Sequence, residues 1–435
     1  MKTGNKLTIG LFGFGVVGQG IYEVLQQSLS LQANIKKICI KEPGKKREAP
    51  ADLFTTDYEL LLSDPEINVI VELINDAGEA FKIVSAALKN GTAVVTANKK
   101  MVAENIAELL QLQEQYETPF LYEAAVCGSI PIIRNLEEYY DNDLLKSVCG
   151  IVNGSTNYIL TKMIDEQMPY AKALEKAQFL GFAETDPSLD VLGIDAVNKL
   201  TILLAHAYGV VTNPQNLVHV GIDRLNPFDS KTAEEKDFVI KLIAQAVKLT
   251  NGKIAAFVLP HYIDKSSQLY AVKDEFNGVV IQSSLADKQF LYGKGAGRYP
   301  TASAVLSDIS ALRYAYRYEY HKLNTHAEIT DDFYLRIYCS FEKITQIDLK
   351  DFEWVEEFHS QEVRQYLIGV IQCKKLIASN WFNKKIISVI VCPDGVIEEI
   401  DTRKVKKLSH TLAGSHFVEK TSETLSNLPK ELSGI

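Results

Sequence analysis

"KLTIGLFGFGVVGQG", residues 6–20, carries an apolar strand pattern into a glycine-spaced turn and then into the start of a helix. Gly13, Gly15 and Gly18 stand there in G-x-G-x-x-G spacing. The first glycine of such a loop permits a tight turn, the second lets the backbone approach a pyrophosphate, and the third lets the helix pack closely. The helix N-terminus adds free N–H donors and a favourable dipole. The segment predicts a dinucleotide site with Gly13, Phe14, Gly15, Val16, Val17 and Gly18 against the cofactor. Short apolar runs go on alternating with amphipathic stretches as far as "TAVVTA" (92–97), the βαβ pattern of a parallel sheet.

The pattern changes after "SIPIIRNL" (129–136) to an α+β mixture, with strand candidates at 145–153, 253–260, 269–282 and 288–295 and long helices between them. From about residue 328 a third segment follows, with strand candidates at 333–340, 365–372 and 385–392, and "KLNTHAEITDD" (322–332) reads as the linker. At 435 residues and 46% hydrophobic content the chain has room for two or three cores. No run of eighteen apolar residues exists, and the start of the chain reads as a strand rather than a leader, so a cytoplasmic address and no membrane partner are expected. The six cysteines (Cys39, Cys127, Cys149, Cys339, Cys373, Cys392) are too scattered for a zinc site or a small disulfide framework. A net charge of -9 argues against a nucleic-acid partner.

The second strand pattern ends in Lys41-Glu42 and is followed by Lys45, Lys46 and Arg47. An acid there would bind the ribose 2′-OH of NAD and a base the 2′-phosphate of NADP, so both cofactors stay open. Residues 45–47 read equally well as a solvated charged loop. Lys99 and Lys100 lie just beyond the carboxyl end of a parallel strand, where ligands collect, and spacing does not choose between them. "GFAETDPSLDVLGIDAVNK" (181–199) concentrates Glu184, Asp186, Asp190 and Asp195 before Lys199. On a helix Asp195 and Lys199 share a face, roughly 6 Å apart along the axis. The following "LTILLAHA" (200–207) is apolar nearly all round, so this pair stands at the mouth of a buried helix, where desolvation demands partners or a task. Asp186, before Pro187, reads as a cap.

Six segments together resemble the homoserine dehydrogenase family: "GFGVVG" (13–18), "VVTANK" (94–99), "GSIPIIRNL" (128–136), "GIVNGSTNYIL" (150–160), "GFAETDPSLDVLGIDAVNKL" (181–200) and "GKGAGRYPTASAVLSDI" (293–309). The resemblance implies reversible NAD(P)H-dependent reduction of L-aspartate 4-semialdehyde to L-homoserine, in threonine and methionine biosynthesis. It implies a Rossmann domain over 1–132 completed by about 300–325, an α+β substrate and dimerisation domain over 133–299, and a divergent ACT-like regulatory domain over 330–435. Lys199 matches the proton donor, Lys99 the second lysine at the reacting centre, and Glu184, Asp190 and Asp195 the substrate acids. "NGSTNY" (153–158) fits a glycosylation sequon that the cytosolic reading discounts, and by resemblance it lines the site with Gly154 and Ser155 on the substrate. Lys41, Lys99, Gly181, Gly295 and Gly297 fall on the cofactor side. A sodium or similar ion on the backbone carbonyls of Glu123, Val126, Gly128 and Ile130, and a homodimer or dimer of dimers, are implied as well.

The chain departs from the family where Asn75-Asp76 replaces a glycine pair, where Cys127 replaces a small residue in the ion loop, and where Arg298, able to reach a cofactor phosphate, follows the last glycine. "YCSFEKIT" also lacks the turn expected after the first strand of an ACT domain, so threonine inhibition is not carried over. Two rivals remain at this level: an aspartate-semialdehyde dehydrogenase type using Cys127 as nucleophile, and a dinucleotide-binding sensor without catalysis.

Overall fold

Leu7, Ile9, Leu11 and Phe12 are all buried, so β1 (Leu7–Phe12) is an interior strand covered on both faces. The computed structural model describes residues 6–28, 31–142 and 144–400. Its first compact unit comprises residues up to 222 with 241–259 and 265–329, and its second 223–240, 260–264 and those from 330 on.

In the first unit, β1 is joined by β2 (Ala33–Cys39), β3 (Phe54–Thr55), β4 (Val69–Glu72), β5 (Ala93–Thr96) and β6 (Phe120–Leu121) in the order β3-β2-β1-β4-β5-β6. All five pairings are parallel. Burial on both faces explains why β4 reads as a continuous apolar run rather than an alternation. The connecting helices are α1 (Val16–Gln27), α2 (Glu59–Leu62), α3 (Ala77–Lys89) and α4 (Lys99–Tyr116). The strand order reverses between β1 and β4, which opens a crevice at their carboxyl ends.

The chain then builds a second layer. A short turn, α5 (Ile132–Arg134), leads to β7 (Leu145–Ile151), α6 (Gly154–Asp165), α7 (Tyr170–Phe179), α8 (Ser188–Val191), α9 (Ile194–Tyr208) and β8 (Val218–His219). After α10 (Pro227–Glu235), which belongs to the second unit, come β9 (Val239–Lys248), β10 (Ile254–Ile263), β11 (Phe276–Ser283) and β12 (Asp287–Lys294). β7 lies between β9 and β11, and β12 forms the edge beside β11, all antiparallel. Finally α11 (Arg298–Leu312) returns to lie against α1 and β5. Every residue of α9 from Asp195 to Tyr208 is buried, as its all-round apolar pattern requires.

The second unit adds β13 (Tyr334–Phe341), β14 (Phe352–Ser360), β15 (Gln365–Gln372), α12 (Cys373–Ala378) and β16 (Ser388–Ile397). Its strands run β16-β13-β15-β14, antiparallel throughout. Fully buried Asp229 on α10 accepts hydrogen bonds from Tyr338 Oη at 3.0 Å and Ser340 Oγ at 2.6 Å, which anchors the helix to β13.

The α/β class and the mixed sheet agree with the sequence reading, but several elements do not. "VIKLIAQAVK", left among the helices, is β9: a short buried apolar run has no period that separates strand from helix. The strand expected over 269–282 begins only at Phe276, because Gln268–Ala271 is a 3₁₀ turn. In the C-terminal segment β14 was not anticipated, and only 3₁₀ turns, Ile344–Gln346 and Leu349–Asp351, separate it from β13. Residues 401–435 of the expected third domain lie outside the described residues.

One glycine fixes the far end of α9. Gly209 has φ 67°, and a Cβ there would stand 2.0 Å from the Lys322 carbonyl oxygen. Replacing Gly209 by Ala should therefore destabilise the protein by about 2 kcal/mol or more, since both the left-handed backbone and the close approach oppose a side chain. Urea unfolding measures it; a midpoint unchanged from the parent protein would contradict the assignment.

Candidate active site

The glycine loop lies at the carboxyl end of β1, beside a crevice of about 1040 Å³. Gly13 has φ 92°, and a Cβ on it would meet the Leu73 carbonyl oxygen at 2.8 Å; one on Gly18 would meet the Gly13 carbonyl oxygen at 2.5 Å. A Cβ on Gly15, by contrast, would have nothing within 4 Å. Two glycines thus close the turn and the third leaves room for a ligand at the start of α1, which is the division of labour a pyrophosphate site needs. Phe14 is buried against Tyr22 and Phe54, while Val16 is exposed at the helix N-terminus and Val17 half-buried.

Lys41, Glu42, Lys45 and Arg47 all line the crevice. Arg47 donates to the Lys45 carbonyl oxygen at 2.7 Å and lies over the Phe54 ring. Asp76 is accounted for by its local role: it N-caps α3, accepting from the Glu79 N–H at 2.9 Å, and that hydrogen bond holds its carboxyl below the usual range. The Arg298 guanidinium pairs with Glu23 of α1, because α11 packs along that helix.

The acid-rich stretch and two lysines meet in the same unit. Asp195, in the first turn of α9, is 5% exposed. It accepts from Lys199 Nζ at 2.7 Å, Lys99 Nζ at 3.0 Å and Asn153 Nδ2 at 2.8 Å. Lys199 Nζ also donates to the Val152 carbonyl oxygen at 2.6 Å. Burial alone would raise the Asp195 pKa, but the two ammonium groups outweigh it and hold the carboxyl well below its ordinary range. The charge of Asp195, reciprocally, is the main influence that raises the pKa of Lys99. Lys100, the alternative of the sequence reading, turns away to Glu104, 3.8 Å off on the surface of α4.

Asn153, which the sequence reading placed in a site-lining motif without a role of its own, ties the acids together. Its Nδ2 bridges Asp195 and Asp190, the latter at 2.6 Å, and its Oδ1 caps α6 by accepting from the Thr156 N–H. The signal was an Asn placed three residues before a Thr at a strand-to-helix junction, a capping pattern. Burial and the neighbouring charge of Asp195 push the Asp190 carboxyl up. Ser155 Oγ donates to the Phe182 carbonyl oxygen at 2.5 Å, and Gly154 packs on the backbone of Glu275.

Glu184 is not sealed into the cluster. It is exposed on the loop that follows Gly181, and its side chain makes no hydrogen bond with a described residue, although its charge is felt at Lys99. Gly181 and Gly297 are exposed, at the end of α7 and the start of α11. Gly295 lies against Asn277 and Gly128. In the loop from Glu123 to Ile130, Cys127 and Gly128 are both left-handed, with φ 57° and 49°. The Glu123 carboxylate accepts from the N–H groups of Ile133 and Arg134, and the carbonyls of Val126 and Gly128 accept from no described residue. Among the described residues, no His, Cys, Asp and Glu side chains gather into a metal-binding group. No helix among them is long and apolar enough to cross a membrane.

With this geometry in hand, the comparisons with known proteins are direct. The family profile "Homoserine dehydrogenase, NAD binding domain" matches residues 13–123, and the profile "Homoserine dehydrogenase" matches residues 131–310. The homoserine dehydrogenase of Bacillus subtilis is 36% identical over 315 residues, covering 70% of this chain and 72% of its own length. That of Neisseria gonorrhoeae is 38% identical over 311 residues, covering 70% and 71%. A crystal structure of the enzyme from Thiobacillus denitrificans superposes with a TM-score of 0.77 at 28% identity over 89% of this chain and 98% of that one. A hyperthermophilic archaeal homoserine dehydrogenase mutant in complex with NADPH superposes with a TM-score of 0.61 at 28% identity over 72% of this chain and 100% of that one. Both rivals fall with these matches: the chain belongs to the homoserine dehydrogenase family, as an NAD(P)-dependent oxidoreductase of aspartate-family amino-acid biosynthesis.

Proposed function

We propose that Asp195, Lys199 and Lys99 form the proton-transfer centre of this homoserine dehydrogenase, and that the amino-acid substrate binds across Glu184 and Asp190 beside it. The observation that carries the reading is the buried Asp195 carboxylate with an ammonium group on each oxygen, at 2.7 and 3.0 Å. When bound along the glycine loop, the nicotinamide cofactor supplies or accepts the hydride. In the reducing direction the aldehyde oxygen gains negative charge, and Lys199 holds a proton on Nζ for it. Asp195 aims both lysines and keeps Lys99 charged. Lys99, half exposed, is the lysine that reaches toward the cofactor side. Glu184 and Asp190 accept from the substrate ammonium group, and Gly154 and Ser155 at the start of α6 contact the same molecule.

The carbonyls of Val126 and Gly128, which no donor among the described residues reaches, suit, with those of Glu123 and Ile130, a monovalent cation that orders the loop. Its place is structural, and no proton or hydride passes through it. Gly181, Gly295 and Gly297 border the cofactor. In the stretch just after β2, Lys41, Lys45 and Arg47 outnumber Glu42 on the crevice wall, which favours the 2′-phosphate of NADP. The second unit is read as a divergent ACT-like regulatory domain, on its β16-β13-β15-β14 order, which is that of a split βαβ sheet with the first helix reduced to 3₁₀ turns. Exposed Phe290 and Tyr292 on the edge strand β12 support a homodimer.

Three outcomes test these assignments. Lys199→Ala should lower kcat on the order of 10²- to 10⁴-fold with near-normal cofactor binding, the range for a positioned proton donor; unchanged turnover would remove Lys199 from the mechanism. Cys127, buried and pushed up to about 11, stays a thiol, so Cys127→Ala should keep more than about half of the activity. Near-total loss would restore a thiolate role. Lys41→Ala should reduce kcat/KM with NADP by roughly tenfold and with NAD by less than about threefold, since one phosphate-pairing base is removed; an equal fall with both cofactors would contradict the NADP preference.

A further inference from the structure

Glu72 ends β4 with its side chain wholly buried, and no ammonium or guanidinium group among the described residues pairs with it. Its two oxygens serve two different elements. Oε1 accepts from the Ile74 N–H at 2.6 Å, and Oε2 accepts from Thr96 Oγ1 at 2.6 Å, at the end of β5. Thr96 Oγ1 in turn accepts from the Asn98 N–H at 3.0 Å, and Asn98 Nδ2 donates to the Ile74 carbonyl oxygen at 3.0 Å. The four residues close a ring. Asn98 Oδ1 then caps α4 by accepting from the Met101 N–H, and the first residue of that helix is Lys99, whose Nζ lies 3.0 Å from Asp195. On its other side the ring carries Leu73, Ile74 and Asn75, which line the cofactor crevice.

A carboxyl group buried without a counter-charge is expensive, and a helix cap alone does not need one. Burial has pushed Glu72 up to about 7, so the site tolerates the acid by easing its charge rather than by pairing it. What the carboxyl supplies, and a shorter or apolar residue does not, is two acceptors set to bind β4 and β5 at once.

We propose that Glu72 is a positioning residue, which fixes the crevice wall at Ile74 and the first turn of α4 relative to each other so that Lys99 is aimed at Asp195. The inference rests on the role assigned above to Lys99. Steady-state kinetics with L-homoserine, together with cofactor binding followed by reduced-nicotinamide fluorescence, should be measured for Glu72→Ala, Glu72→Gln, Thr96→Val and Thr96→Ser, with Lys99→Ala as the reference. Glu72→Ala and Thr96→Val should lose kcat roughly 10- to 100-fold, the scale of a small misplacement at the reacting centre. Cofactor affinity should stay within about threefold, and Gln and Ser should restore kcat to within about fivefold, because Gln still accepts from Ile74 and reaches Thr96, and Ser keeps the hydroxyl. Should Glu72→Ala not fold, the Thr96 pair makes the same comparison. Full turnover in Glu72→Ala or Thr96→Val, while Lys99→Ala is slow, would overturn the positioning role alone, as would a Gln variant as slow as Ala. Full turnover in Lys99→Ala would overturn both this inference and the assignment beneath it.

Discussion

The structure of the site depends on one buried anion. Asp195 has lost almost all contact with water, and an isolated carboxylate in that setting would be neutralised or expelled. It survives as an anion because Lys199, Lys99 and Asn153 donate to it. Each donor arrives from a different element: α9 itself, the first residue of α4, and the cap of α6. The requirement to satisfy one carboxylate therefore dictates that three helix starts converge, and the sheets behind them are what hold those starts in place.

That convergence sets two electrostatic preferences against each other. The N-terminal end of a helix attracts anions, which suits Asp195 in the first turn of α9. Lys99 stands at the first position of α4, where a cation is disfavoured by roughly 0.3–1 kcal/mol. An exposed lysine there would be a small liability. Pairing with Asp195 offsets it, and the lysine gains an orientation that solvent could not give. Local helix stability has been subordinated to the site, a pattern expected where function rather than folding chose the residue.

What was legible in the sequence was short in range. The glycine triplet acts within six residues, and Asp195 and Lys199 are one helical turn apart, so both features follow from local geometry. Lys99 and Lys100 were indistinguishable because neighbours on a helix differ by about 100° in direction, and only the tertiary position of α9 decides which faces Asp195. Asn153 hid in a sequon-like motif, although its cap role is local. The pairing of Arg298 with Glu23 was not legible, because Glu23 lies far away in sequence on α1. Strand β9 was lost for a different reason, since a buried apolar run carries no period.

The charges of the cluster fit the substrate orientation proposed above. Glu184, Asp190 and Asp195 bring three carboxylates to the site, and Lys99 and Lys199 bring two ammonium groups, a formal excess of one negative charge. The excess is not spread evenly. Lys199 is buried beside Asp195, whereas Glu184 is exposed and Asp190 sits between them, held through Asn153. The outer part thus carries the exposed carboxylate, and the inner part holds the buried Lys199 beside Asp195. In the binding mode proposed above, an amino acid entering this gradient has its ammonium group toward Glu184 and Asp190 and its far oxygen toward Lys199. On that proposal the gradient favours the transition state for reduction over the neutral aldehyde, because negative charge on that oxygen appears beside the ammonium group of Lys199.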